Sequence, residues 1–137
     1  MRAVRGDASR ELEIEPGFAP SSLALGASVA HSGVCLTVTA IDRTSFRVLA
    51  SGETLARTTV GTWAVGRPIN LERSLRLGDE LGGHLVFGHV DAVGTVRRLT
   101  PVEGGHRIEI GLAPALAPLV AVKGSIAVDG VSLTVTE

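Results

Sequence analysis

The sequence predicts an all-β protein built as a small barrel or sandwich, and two observations support this fold class. Short runs rich in Val, Ile, Leu and Thr recur along the 137 residues and are separated by Gly, Pro and Asp. Only two stretches have a helical pattern, and both are short. Apolar residues make up 45% of the chain, which is enough for the core of one ordinary domain or of two very small ones.

The predicted strands follow one another along the chain. We expect them at 11–15, 27–31, 34–41, 45–50, 67–72, 89–99, 106–112 and 124–137. The two predicted helices are 52–59 and 113–121. Pro118 interrupts the second helix, because proline has no N–H to donate within a helix interior.

One phrase of the sequence occurs twice. GASVAHSGVCLTVT at 26–39 aligns with KGSIAVDGVSLTVT at 123–136, at an offset of 97 residues (123 minus 26), and eight of the fourteen pairs are identical. The stretches upstream, ELEIEPGFAPSSLAL and RIEIGLAPALAPLVAV, also run in parallel. The repeated unit is therefore a whole supersecondary block, and we interpret the chain as the duplication of one small barrel.

The two repeats differ in what precedes and follows the shared phrase. The strand-like stretch GHVDAVGTV at 88–96 precedes the second repeat, whereas the first opens at Met1 with RAVRG and has no counterpart to it. The first repeat continues well beyond the phrase, whereas the second stops at Glu137. We therefore expect a first barrel at 1–86 that lacks its opening strand and the first half of a second barrel at 87–137. Because open sheet edges need cover, such a chain is a fragment or depends on a partner.

Charge and composition exclude several classes of protein. The formal net charge is -1 and the charges are scattered, so no basic stripe is available to nucleic acid. No run of about eighteen apolar residues could cross a membrane. The amino-terminal stretch is charged and lacks a signal core, and the single Cys35 cannot form an internal disulfide. The sequence predicts a cytoplasmic protein that binds a small molecule or another protein.

Strand alternation divides the shared phrase into two faces. The face expected in the core carries Val34, Leu36, Val38 and Ala40, with Val131, Leu133 and Val135 in the second repeat. The opposite face carries Cys35, Thr37 and Thr39, with Ser132, Thr134 and Thr136 in the second repeat. Short hydroxyl and thiol groups suit a flat polar ligand. The alternative is that Thr and Ser occupy an exposed strand face through β propensity alone.

Three further features are candidates for chemistry. In GGHLVFGHVDAVG at 82–94, His84, His89 and Asp91 could be metal ligands, but one thiol and the absence of HxH or HExxH argue against a metal. If His89 and Asp91 lie on a strand they share a face, and the carboxylate could hold the imidazole as an acid or base. A surface histidine without such a role is the alternative. SGETLARTT at 51–59 could bring Glu53 and backbone N–H groups to a ligand, although a capped helix explains it equally well.

Lys123 is the only lysine in the chain, beside twelve arginines. An ammonium and a guanidinium are not equivalent at a tight site. We therefore consider Lys123 a candidate functional residue.

Four stretches in order resemble riboflavin synthase of the alpha-chain type, from about residue 11 to residue 137. They are GASVAHSGVCLTVT, ETLARTT, INLERSLRLGDELGGHLVFGHVD and KGSIAVDGVSLTVTE. The resemblance implies two similar six-stranded Greek-key barrels and a C-terminal helix, assembled as a homotrimer whose active site lies between the N-terminal barrel of one subunit and the C-terminal barrel of its neighbour. It implies a dismutation in which one 6,7-dimethyl-8-ribityllumazine donates a four-carbon unit to another, giving riboflavin and 5-amino-6-ribitylamino-pyrimidinedione, with no cofactor and no metal.

The resemblance also implies roles for residues of this chain. Those implied to contact the first substrate are Cys35, Leu36, Thr37, Leu49, Ala50, Ser51, Gly52, Glu53, Thr54, Gly88, His89 and Val90. Those implied to contact the second are Lys123, Ser132, Leu133 and Thr134. The implied catalytic candidates are His89, Ser28 and Cys35, of which His89 is the best candidate for proton transfer.

Departures from the family pattern bear on activity. The MFTG-like opening strand that contributes to the first site is missing, and several features of the second barrel would lie beyond Glu137. These are a loop resembling 49–54, an acidic residue and the trimerising helix. We therefore expect impaired turnover by this chain alone. The alternatives are a lumazine- or flavin-binding relative without turnover, and a gene fragment with no function of its own.

Overall fold

The first repeat folds into one six-stranded antiparallel sheet. The computed structural model describes the backbone of residues 2–6 and the whole of residues 9–137. Its strands are Arg2–Gly6 (β1), Ser9–Ile14 (β2), Ser28–His31 (β3), Val34–Ile41 (β4), Phe46–Ser51 (β5), Leu71–Arg73 (β6), Thr95–Val102 (β7), Gly105–Gly111 (β8), Ser125–Val128 (β9) and Val131–Thr134 (β10). The order in the sheet is β1-β2-β5-β4-β3-β6. Because β3, β4 and β5 are consecutive neighbours and β2 returns beside β5, the topology is a Greek key.

Strand β1 is absent from the predicted strands. Arg2 lies opposite Glu13 and Gly6 opposite Ser9, so β1 and β2 form an antiparallel hairpin. In the second repeat β7 and β8 form the same kind of hairpin. The expectation that the first repeat has no counterpart to the strand before the second is therefore wrong for residues 2–6. RAVRG was missed because it shows no apolar–polar alternation, whereas the pairing uses backbone groups.

The core lies on the inner face of the first repeat, as alternation along β4 predicts. The buried apolar side chains are Leu12, Ile14, Val29, Val34, Leu36, Val38, Phe46, Val48, Ala50, Val60 and Trp63. Ala40, also expected in the core, is only half-buried. The register shifts between Val38 and Ala40, and this bulge ends the alternation.

The second repeat consists of two separate hairpins, β7-β8 and β9-β10. No apolar side chain after Trp63 is buried in the described part of the chain. Val131, the repeat counterpart of buried Val34, is 47% exposed. The predicted all-β class is therefore confirmed, and the second repeat is an open arrangement of two hairpins in the described residues.

The other differences from the predicted elements are local. The first predicted helix is α1 at Gly52–Arg57, followed by a 3₁₀ helix at Thr59–Thr62. The second is a 3₁₀ helix at Pro114–Leu119 that contains Pro118. The strand expected from residue 89 begins only at Thr95. Within residues 2–6 and 9–137, every helix is too short or too polar to cross a bilayer.

The duplication is reproduced in the backbone. The N–H of Gly26 donates to Val38 O at 2.9 Å, and at the same offset of 97 the N–H of Lys123 donates to Val135 O at 2.7 Å. Gly26 and Lys123 both have left-handed backbones, with φ of 79° and 65°. The two copies of the phrase are therefore equivalent in structure as well as in sequence.

The hairpin turns of the two repeats pack against each other. Ser32 and Gly33 both have positive φ, as do Asp129 and Gly130, which is the geometry of a two-residue type I′ turn. A Cβ added to either glycine would lie 2.9 Å from the backbone nitrogen of the other. Asn70 joins the turns, because its carbonyl accepts the Ser32 N–H at 2.7 Å and its Nδ2 donates to the Asp129 carbonyl at 2.9 Å. Only glycine allows the repeats to approach this closely.

His31 is a titratable group inside the core of the first repeat. Its side chain is fully buried, its Nδ1–H donates to the Val29 carbonyl at 2.9 Å, and its Nε2 has no hydrogen-bond partner among the described residues. Burial lowers the pKa of His31 from 6.5 to about 4, because the charged imidazolium would lose its hydration. The folded protein therefore holds this imidazole neutral in mildly acidic solution.

We predict that the free energy of unfolding falls as the pH drops from 6.5 towards 4. In this window the unfolded histidine binds a proton that the folded one does not, so stability present above pH 6.5 is lost, to a limit of about 3 kcal/mol. The control is His31→Val, which has the residue that the second repeat carries at the equivalent position, Val128. Urea unfolding of both proteins at pH 7 and pH 4.5 measures the difference, and equal losses in both would contradict the prediction.

Candidate functional site

The polar face of the shared phrase lies outside the core, where a ligand can reach it. Ser28 lies opposite Thr37, and Ala30 opposite Cys35, in the β3-β4 pair. Directly opposite residues of an antiparallel pair share a face. Ser28, Cys35 and Thr37 therefore lie together on the outer face, as alternation predicts.

A cavity of about 330 Å³, which we call the Cys35 site, lies over this face. Three parts of the chain meet there: the start of β4, one face of α1, and residues 88–90. The lining residues are Val34, Cys35, Glu53, Thr54, Arg57, Thr58, Gly88, His89 and Val90. A second hollow of about 550 Å³ lies between residues 14–18 and 67–71 and contains none of the predicted site residues.

Helix α1 presents a polar face to the Cys35 site. Ser51 caps it, because its Oγ accepts the Thr54 N–H at 3.2 Å. Glu53 and Arg57 lie one turn apart, and Arg57 Nε donates to Glu53 Oε1 at 2.7 Å. Since residues four apart share a helix face, Thr54 and Thr58 line the same cavity.

Residues 82–90, which we call the strap, close the other side of the Cys35 site. The Gly88 carbonyl accepts the Cys35 N–H at 2.8 Å. A Cβ added to Gly88 would lie 2.8 Å from Cys35 Cβ, so the strap touches β4 through a glycine with φ of 73°. His89 follows immediately and is exposed at the cavity.

The other end of the strap contacts the second repeat at the equivalent position, but through the side chain of Ser132 rather than its backbone. A Cβ added to Gly83 would lie 2.7 Å from the Oγ of Ser132, the repeat counterpart of Cys35. His84 Nδ1 forms a hydrogen bond of 2.7 Å with the same Oγ. The strap therefore brings one Gly–His pair to each copy of the shared phrase.

The remaining predicted site residues divide into two groups. The side chains of Leu36 and Ala50 are buried in the core, so a ligand would meet only their backbone. Besides these two, the predicted residues that lie outside the cavity lining are Ser28, Thr37, Leu49, Ser51, Gly52, Lys123, Ser132, Leu133 and Thr134. The roles implied for all these residues stay predictions.

His89 and Asp91 are not on a strand, because β7 begins only at Thr95. The expectation that a shared strand face lets Asp91 hold the His89 imidazole therefore lacks its structural basis. In the described residues, no group of three or more His, Cys, Asp and Glu side chains could hold a metal ion.

Three residues of the sites were missed in the sequence. His84 was considered only as a metal ligand, although the spacing of the two Gly–His pairs in GGHLVFGH could have indicated one pair for each repeat. Arg57 and Thr58 line the cavity because each lies four residues after a predicted site residue, Glu53 or Thr54. Helical spacing could have identified both.

The fold and the paired contacts define a class: an all-β protein with two copies of one strand unit, joined by a strap that touches both. Residues 1–74 and 87–137 match the family described as Lumazine binding domain. The chain belongs to that family.

Similar proteins agree with this assignment. The riboflavin synthase of Brucella abortus is 49% identical over 129 residues, which are 90% of this chain and 64% of that protein. That of Mycobacterium bovis is 41% identical over 131 residues, which are 95% of this chain and 65% of that protein. The chain therefore spans less than two thirds of the length of these relatives.

Solved structures show the same fold. LumP complexed with riboflavin matches 99% of this chain and 74% of its own chain with a TM-score of 0.87 at 24% identity. LumP complexed with 6,7-dimethyl-8-(1'-D-ribityl) lumazine has a TM-score of 0.82 at 23% identity. The predicted fold resemblance is therefore confirmed.

We predict that Gly88→Ala opens the Cys35 site, whereas Gly104→Ala does not. Both glycines have positive φ, so either alanine costs about 1 kcal/mol of backbone strain. A Cβ on Gly104 would have no neighbour within 4 Å, whereas one on Gly88 must displace the strap from Cys35. Iodoacetamide should therefore alkylate Cys35 several-fold faster in Gly88→Ala and at the normal rate in Gly104→Ala. Equal rates in the two variants would refute the contact.

Proposed function

We propose that this chain carries the two lumazine-binding sites of a riboflavin synthase. The reaction is the dismutation of two 6,7-dimethyl-8-ribityllumazines to riboflavin and 5-amino-6-ribitylamino-pyrimidinedione. The observation that carries the proposal is the paired arrangement at the strap: Gly88 against Cys35 in one repeat and Gly83 against Ser132 in the other. A reaction between two identical substrates calls for two similar sites.

The chemistry asks little of the protein beyond binding and proton transfer. A four-carbon unit passes from one lumazine to the other, and the two products together contain all the atoms of the two substrates. No external oxidant or reductant is required. The lumazine 7-methyl group loses a proton readily, because its carbanion is delocalised into the ring. Binding two rings in a fixed orientation, with modest acid–base help, is sufficient catalysis.

In the Cys35 site each part of the wall has a role under this proposal. The short side chains of β4 leave room for a flat ring, and Glu53 and Thr54 on α1 offer polar groups to its substituents. His89 is exposed at the cavity, so its imidazole can exchange a proton with a bound ring and with water. Gly88 allows the strap to approach β4 closely enough to place that imidazole.

In the second repeat, Ser132 takes the place of Cys35 and His84 the place of His89. We propose that Lys123 and Thr134 contact the second substrate there. We further propose a homotrimer in the cytoplasm, in which the Cys35 site of one subunit faces the Ser132 region of its neighbour. The assembly rests on the resemblance to riboflavin synthase, and the location rests on the expectation from the sequence.

The second candidate function is lumazine or flavin binding without turnover. The observation that favours it is the fold match to LumP, whose structures contain riboflavin or a lumazine. The residues at the second repeat argue for the enzyme, because Lys123, Ser132 and Thr134 are all present. Turnover separates the two candidates.

The test is to incubate the chain with 6,7-dimethyl-8-ribityllumazine and to follow lumazine fluorescence and riboflavin formation together. The enzyme should form one riboflavin for every two lumazines consumed. His89→Gln should lower the rate about 100-fold, whereas His106→Gln, on β8, should leave it unchanged. Bound lumazine should also slow alkylation of Cys35. Fluorescence change without riboflavin would mean that this chain binds lumazine without turnover, as expected of the binding protein or of an enzyme whose second site does not work in this chain alone. No response in either signal would reject both candidates.

We predict that Lys123→Gly stabilises the chain and impairs the second site. Lys123 has a left-handed backbone, with φ of 65°, at the position where the first repeat has Gly26. Glycine should relieve the strain and raise the free energy of unfolding by about 1 kcal/mol. The same change removes the ammonium group, so riboflavin formation should fall. Urea unfolding and the fluorescence assay measure the two effects, and a stabilised variant with unchanged activity would exclude a role for the lysine.

A further inference from the structure

Residues 52–63 leave the sheet after β5, and the side chain of Arg10 on β2 binds the end of this excursion. The excursion contains α1 and the 3₁₀ helix Thr59–Thr62, and it supplies one wall of the Cys35 site. Arg10 lies opposite Ala50, next to the point at which β5 leads into α1. The start of the excursion and its end therefore lie close to the same arginine.

The guanidinium of Arg10 binds the end of the excursion through three carbonyls. Its Nη2 donates to Trp63 O at 2.7 Å, and its Nη1 donates to Val60 O at 3.3 Å and to Gly61 O at 3.4 Å. These bonds bridge about fifty residues of sequence. The planar guanidinium has five donors in a fixed fork, whereas a lysine ammonium at the end of a flexible chain lacks that geometry.

Helix α1 needs an external support of this kind. It has six residues, and helices this short are not stable by themselves. Its C-terminal end is linked to the next turn, because Thr58 Oγ1 donates to Thr54 O at 2.6 Å and accepts the Val60 N–H at 3.2 Å. A guanidinium that fixes Val60 therefore also fixes the helix end that carries Thr54 and Thr58.

We propose that Arg10 is a positioning residue for the Cys35 site. It is absent from the cavity lining, and it acts on a ligand only through the α1 wall. The proposal rests on the proposed function for the identity of the ligand, which we take to be riboflavin or a lumazine. The structural part of the proposal, that Arg10 holds α1 in place, does not depend on which ligand binds.

The first test compares Arg10→Ala and Arg10→Lys with Ile14→Val. Ile14 is buried in the same strand but lies opposite Phe46, at the far end of the β2-β5 pair, so its variant destabilises the sheet away from α1. The dissociation constant of riboflavin, measured by fluorescence quenching well below every melting temperature, should rise about tenfold in both Arg10 variants and stay unchanged in Ile14→Val. Unchanged affinity in Arg10→Ala, or an equal loss in Ile14→Val, would overturn the proposal.

Two further readouts distinguish positioning from general stability and from failure of the proposed function. Millimolar guanidinium, against sodium chloride of equal ionic strength, should restore riboflavin affinity in Arg10→Ala alone. Amide hydrogen exchange within α1, measured without ligand, should be at least tenfold faster in Arg10→Ala than in Ile14→Val. If the wild-type chain binds neither riboflavin nor lumazine, the proposed function fails, and the exchange result alone decides on Arg10. Equal exchange in the two variants refutes the role of Arg10.

Discussion

The contact between Gly33 and Gly130 is the constraint on which the arrangement of the two repeats depends. Each glycine lies at the tip of a type I′ turn, and each backbone nitrogen is so close to the other glycine that no side chain fits between them. The turns also fix the register of the strands that carry Cys35 and Ser132. One contact therefore sets the position of both ligand faces, and Asn70 locks it from the side by binding both turns.

The two repeats use the same backbone plan in different ways. In the first repeat, residues from the four strands β2 to β5 and from the excursion after β5 bury one continuous core, and His31 and Ser45 are buried with it. In the second, the equivalent apolar face is open in the described residues, so packing contributes little to the order of β9 and β10. The strap, the Asn70 bridge and the glycine contact tie this hairpin to the first repeat. The β9-β10 hairpin is therefore held by polar and backbone contacts, whereas the strands of the first repeat are held by a buried apolar core.

Much of this architecture could be predicted from the sequence, because it depends on local patterns. Alternation placed Val34, Leu36 and Val38 in the core, and the repeat identified the equivalence of the two hairpins. Contacts between distant segments could not be predicted in this way. The bond from His84 to Ser132 joins residues far apart in the chain, and the only local signal for it is the spacing of the two Gly–His pairs in the strap. The bulge after Val38 and the strand at 2–6 were missed because both depend on backbone pairing.

The length of the strap determines the distance between its two Gly–His pairs. Between Gly83 and Gly88 the chain advances five residues, which at full extension reach at most about 17 Å. At Gly88 the Cys35 backbone leaves no room for a side chain, and at Gly83 the Ser132 side chain lies within 2.8 Å of where a Cβ would be, so both ends of the strap approach a strand closely. Evolution could lengthen the β7-β8 turn at Gly104 without moving either histidine, since nothing packs there. One residue added to the strap would break the match between its two histidines and the two repeats, so the positions of the two hairpins constrain its length.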